Sequence, residues 1–72
     1  MIEIEQLWNT FKVKYRRYCI SCRNGSQEYK EDRKQYNDVL FALELIDPDF
    51  DEVKVMQLVD QVIAELNSNG YR

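Results

Sequence analysis

The chain is broken at only two internal places, Asn24-Gly25 and Asp47-Pro48-Asp49, and between the breaks apolar residues recur at a period near 3.6. Two breaks leave three segments, each long enough for several helical turns and too long for an ordinary strand. A sandwich or barrel needs a turn about every 8–12 residues, which a chain with two glycines and one proline does not supply.

Helix one is expected over residues 2–23. At about 100° per residue, Ile4, Leu7, Trp8, Phe11, Tyr15, Tyr18, Cys19 and Cys22 share an arc of about 120°, a broad core-facing stripe. Gly25 can adopt the left-handed conformation that ends a helix, and Ser26 is a ready N-cap for the next. Helix two, over 27–46, offers Tyr29, Tyr36, Val39, Leu40, Leu43 and Ile46 to the core; its polar first half is expected to project beyond the core or to fit a partner. Helix three, over 49–68, has Pro48 at its start and Asp47 or Asp49 as cap, with Glu52 three residues beyond Asp49. It would bury Val55, Met56, Val59, Val62, Ile63 and Leu66 and stop at Gly70. The expected architecture is one all-α domain over 1–72, a small three-helix bundle that closes within one chain or is completed by dimerisation. A domain of this size buries only about 60% of the surface its unfolded chain exposes, so support from a partner is expected.

The acidic start Met1-Ile-Glu-Ile-Glu is unlike a signal peptide, and no apolar run reaches the roughly 20 residues of a membrane span, so a cytoplasmic protein with reduced thiols is expected. Cys19-Ile-Ser-Cys22 has a metal-site spacing, but a structural zinc site takes four Cys or His ligands and this chain has two cysteines and no histidine. Both thiols are therefore expected to serve as small hydrophobes, and no metal or other cofactor is expected. Asp47, Asp49 and Asp51 are spaced like the start of a calcium loop, yet the position that needs Gly holds Glu52 and the one that needs a bidentate Glu holds Leu58. Without histidine, a phosphate-cradling loop or a nucleophile beside a base, the chain is not expected to be an enzyme.

The net charge of -3 conceals a segregation. Residues 9–34 hold eight basic side chains against three acids, and residues 38–65 hold eight acids against Lys54 alone. The two halves can neutralise each other within the bundle, or one can face a partner. The basic half admits a nucleic-acid reading. Lys12, Arg16, Arg17, Lys30, Arg33 and Lys34 would meet phosphates, with helix two reading bases as in a helix-turn-helix; the three acids in that helix and the acidic net charge oppose it.

A second apolar face is the other signal. Ile2, Val13 and Ile20 lie roughly opposite the core stripe of helix one, and Phe41 and Leu45 on the back of helix two. Aligned groups on two helices can merge into an interface patch. Val13, Ile20, Phe41 and Leu45, with the acidic knob Asp47, Asp49, Asp51 and Glu52, are accordingly the expected protein-binding residues. The function expected is a non-enzymatic protein-binding module, an inhibitor of the kind phages and mobile elements encode, that occupies a basic, nucleic-acid-handling surface of its partner. The alternative is a small nucleic-acid-binding regulator using residues 12–34.

Overall fold

The computed structural model describes residues 3–68, and all of its regular structure is helical: α1 (Ile4–Arg23), α2 (Tyr29–Ile46) and α3 (Glu52–Ser68). Ile2, expected on the outer face of α1, and Gly70, expected to end α3, lie outside the described residues. The chain is an all-α three-helix bundle. α2 runs antiparallel to α1 and α3 parallel to it: Ser21 pairs with Asp32 and Trp8 with Asp47, while Trp8 meets Phe50 and Lys54, and Arg23 meets Asn67. Both later helices pack on α1, α2 the more extensively, and neither approaches the other as closely.

The first break closes as expected. Gly25 has φ +69°; the Ser26 N–H donates to the Ser21 carbonyl at 2.9 Å and the Gly25 N–H to the Cys22 carbonyl at 3.3 Å, the paired bonds of a Schellman ending. Ser26 Oγ accepts from the Glu28 N–H at 3.1 Å, holding a turn in front of α2 so that the helix proper begins at Tyr29.

At the second break the expected cap is replaced. Asp47 Oδ1 accepts from the Asp49 N–H at 2.9 Å within the connecting turn, and Pro48 stays in that turn. It is Asp51 that starts α3, its Oδ1 accepting from the Val53 N–H at 3.0 Å. The helix thus begins three residues later than its carboxylate pattern indicated: Asp47 closes the connecting turn with Oδ1 and binds Trp8 of α1 with Oδ2, and Asp51 supplies the cap.

The core is a row of rings along α1. Trp8, Phe11 and Leu43 are buried together, with Ile4, Leu7, Tyr15, Tyr36, Val39, Leu40, Phe50, Val55, Leu58 and Val59 packed around them. Trp8 stacks on Phe50 at 5.8 Å between centroids, and Tyr36 meets Tyr15 and Tyr18 edge-on or tilted at 5.1 Å each. Val62 and Leu66 are the buried residues of α3.

Four expected core residues lie at the surface instead: Cys22, Tyr29, Ile46 and Met56. Cys22 and Tyr29 flank the α1–α2 turn, past the last tyrosine of the ring row; Ile46 and Met56 sit at the margins of their stripes beside the second turn. Cys19 is half-buried, and burial pushes its thiol pKa up. Ile20, expected to face outward, is half-buried, one turn beyond Arg16 on the flank that α3 covers.

Candidate functional site

Two polar contacts that periodicity does not show hold the bundle in register. Trp8 Nε1–H donates to Asp47 Oδ2 at 2.8 Å between buried side chains, which fixes the α2–α3 turn to the start of α1. This bond first, and the Asp49 N–H second, hold the Asp47 carboxyl below its ordinary pKa. Lys54 completes the arrangement with its ammonium 4.6 Å from the Trp8 ring centroid. At the other end, Ser21 Oγ donates to Asp32 Oδ2 at 2.5 Å, also between buried side chains. The polar first half of α2, expected to project, is docked on α1 by this bond and by Tyr36.

Several expected site residues are engaged within the protein by such contacts. Asp47 is buried and bound to Trp8, so it is a structural residue and presents no carboxylate to a basic partner. Lys12 and Arg16 both pair with Glu65 of α3, Lys12 at 3.1 Å. The bond to Lys12 is the leading cause of the lowered Glu65 pKa. Part of the charge segregation is therefore consumed inside the bundle, and two of the six cations proposed for nucleic acid face α3. Arg17, Lys30, Arg33 and Lys34 remain exposed.

The helical phase of α2 sorts its charges. Asp32 points inward, Lys30, Arg33 and Lys34 fall within an arc of about 100°, and Glu28 and Glu31 lie off that arc. One of the three acids counted against this helix in the sequence is thus spent on Ser21.

The outward apolar residues are distributed unevenly. Among the described residues, Val13, Tyr29, Phe41, Leu45, Ile46, Val53 and Met56 are the exposed large hydrophobics; six of these seven belong to α2 or α3, and five lie on the side of the hairpin near the turn that joins them. Phe41 is 63% exposed, Leu45 72% and Met56 64%. Phe41 and Leu45 each lie about 160° around α2 from the buried Leu43; on α3, Met56 lies about 120° and Val53 about 180° from the buried Val62. The outer side of α2 and that of α3 are therefore both apolar beside the turn that joins them. Val13 is exposed on α1, whose buried neighbour Phe11 faces the side of α2 opposite to Phe41, so the structure does not unite Val13 with Phe41 and Leu45 in one patch.

Acids frame the hairpin. Asp38, Glu44, Asp49, Asp51 and Glu52 are exposed along it, and the one cation within 38–65, Lys54, lies over Trp8. Val53 and Met56 escaped the sequence reading: Val53 was not singled out, and Met56 matched the core period of α3.

Elsewhere, a cleft of about 530 Å³ runs between the first turns of α1 and α3, lined by Glu3, Gln6, Trp8, Asn9 and Leu58 among others, with Lys12 and Lys54 held by the contacts already described. Among the described residues no group of three or more His, Cys, Asp or Glu side chains gathers as metal ligands, and no helix is long and apolar enough to cross a membrane. No protein-family model matches the chain, and neither a comparison with curated proteins nor one with solved structures finds a match.

Proposed function

We propose that the protein is a non-enzymatic protein-binding module whose docking surface is the outer side of the α2–α3 hairpin. The observation that carries this reading is the concentration of exposed Phe41, Leu45, Val53 and Met56 within one hairpin bordered by Asp38, Glu44, Asp49, Asp51 and Glu52. Exposed apolar patches of this kind mark interfaces, and the acidic border selects a basic surface while repelling acidic ones. Nucleic-acid-handling proteins carry such surfaces, so an inhibitor of a host complex, of the sort a phage or mobile element encodes, is the biological setting proposed.

The test is capture from nuclease-treated lysate by the wild-type chain and by a Phe41→Glu/Leu45→Glu variant of unchanged circular dichroism. A stoichiometric protein partner retained by wild type and lost by the variant is expected. Equal capture by both would refute the hairpin as the docking surface.

A second reading has one observation in its favour: Asp32 is buried, which leaves Lys30, Arg33 and Lys34 as an uninterrupted cationic arc on α2. It predicts nucleic-acid binding that falls steeply with salt and is weakened by Lys30→Ala, Arg33→Ala and Lys34→Ala. Affinity that these substitutions leave unchanged would dismiss it.

A further inference from the structure

Resting on the hairpin reading, we infer that the outer face of α2 is where the chain pairs with a second copy of itself: two α2 helices pack antiparallel across a twofold axis near Phe41, and Lys30 and Lys34 of each face the acidic α2–α3 turn of the other. The phase of α2 supplies the face. Lys30, Lys34, Phe41 and Leu45 are all exposed and fall within an arc of about 60° on the side of the helix away from the buried Leu43. Successive members of this stripe stand four, seven and four residues apart, the spacing of a helix–helix seam. The stripe changes along its length from cationic to apolar, and beyond its apolar end lies the turn with exposed Asp49 and Asp51.

Charge selects the occupant and its direction. Lys34 lies seven residues before Phe41, about 10 Å along the axis, and the turn begins at Asp47, six residues after Phe41 and about 9 Å along. Antiparallel pairing about Phe41 therefore brings Lys30 and Lys34 of each copy to the Asp49 and Asp51 end of the other. Parallel pairing would set cations against cations and one acidic turn against the other, which costs free energy. The remaining charges of α2 agree with the antiparallel arrangement. Glu44 lies on the flank of Lys30 and Arg33, and Glu31 and Asp38 lie on the opposite flank. A twofold axis sets each flank against its own counterpart, so Glu44 comes within about one turn of Lys34 of the other copy, and Asp38 comes beside Leu45 and not beside Glu44. At the cationic end, Glu28 and Glu31 lie off the stripe and are outnumbered by Lys30, Arg33 and Lys34. Glu44, Asp49 and Asp51 also border the surface proposed for a basic partner, so the second copy and that partner compete for one face.

One face of a single helix makes a small interface, so a Kd on the order of tens of micromolar is expected, and sedimentation equilibrium is run from about 5 to about 500 µM to bracket it. Wild type is compared with Phe41→Ser, with Lys30→Glu/Lys34→Glu and with Glu44→Lys/Asp49→Lys. All the substituted positions are exposed, so folding is retained and is checked by circular dichroism. Expected are a wild-type dimer, a loss of about tenfold or more in Phe41→Ser, and dissociation of each charge variant alone. An equimolar mixture of the two charge variants should restore the dimer, since every end again meets its opposite.

A wild-type chain that stays monomeric across the range would overturn the inference, as would a dimer that Phe41→Ser leaves intact. Charge variants that pair as well alone as mixed would overturn the antiparallel arrangement. The hairpin reading is tested separately by the lysate capture: a partner lost with Phe41→Glu/Leu45→Glu from a chain that is monomeric throughout would sink only the inference. A wild-type dimer together with capture unaffected by that variant would sink only the reading.

Discussion

Leu43 and Leu45 are chemically identical and two residues apart on α2, yet Leu43 is 0% exposed and Leu45 72%. Truncation of each to Ala therefore isolates what the fold contributes. Leu43→Ala removes three carbons from contact with Trp8 and Phe11. At about 0.8 kcal/mol per buried methylene the transfer loss is about 2.4 kcal/mol. A residual cavity adds to it, for a total of about 3–4 kcal/mol. A 72-residue domain holds about 4–11 kcal/mol of stability in all, so this single change removes a large part of it. At about 4–8 °C per kcal/mol the melting temperature falls by at least about 12 °C. Leu45→Ala, which leaves the core untouched, is expected to stay within about 0.5 kcal/mol of wild type. Urea titration followed by circular dichroism at two protein concentrations measures both, with an unchanged m-value as the control for two-state behaviour. A Leu45→Ala cost comparable to that of Leu43→Ala, independent of concentration, would refute the assigned face of α2. A cost that grows with concentration would show Leu45 inside a self-association interface.

Ser21→Ala should destabilise the chain by about 1–3 kcal/mol, since it leaves the buried Asp32 carboxylate without its hydroxyl donor; a neutral result in chemical denaturation would contradict the Ser21–Asp32 pairing. Burial, with Cys19 as the next cause, pushes Tyr15 up to about 12 from an ordinary 10.0. The folded chain then keeps its Tyr15 proton where the unfolded chain loses it, so this contribution is intact below pH 10.0 and is lost as pH rises towards 12. Tyr15→Phe should flatten the alkaline limb of a stability-versus-pH profile, and an unchanged limb would refute the assignment. Thiol titration with a disulfide reagent in native buffer should label exposed Cys22 before half-buried Cys19, whose thiol pKa is raised; Cys22→Ser should remove the fast phase, and two equal rates would contradict the difference in exposure.

The two chain breaks and the 3.6-residue period determined the number of helices, their approximate lengths and the direction each apolar stripe faces. They did so because backbone punctuation and amphipathic phase are local properties. The Asn24-Gly25 ending followed directly, as only the left-handed region accessible to Gly25 completes that pair of hydrogen bonds. Phase, however, states a direction and not a depth. Cys22 shares the direction of Phe11 but sits beside the α1–α2 turn, past the last tyrosine of the ring row, so one is exposed and the other buried. Met56 keeps the period of α3 and lies outside, at the margin of its stripe about 120° around the helix from buried Val62.

Only the tertiary structure decided the roles of the polar residues. Ser21, Asp32 and Asp47 carry no core signal in the sequence, because small polar and acidic residues are seldom buried, and each is buried once its partner arrives from a distant part of the chain. Trp8 reaches Asp47 across 39 positions and Arg16 reaches Glu65 across 49, separations that no local period encodes. The sequence by itself determined a dipolar three-helix chain with spare apolar side chains. Tertiary packing decided which charges are consumed inside the bundle and gathered most of the spare apolar side chains on the acidic α2–α3 hairpin.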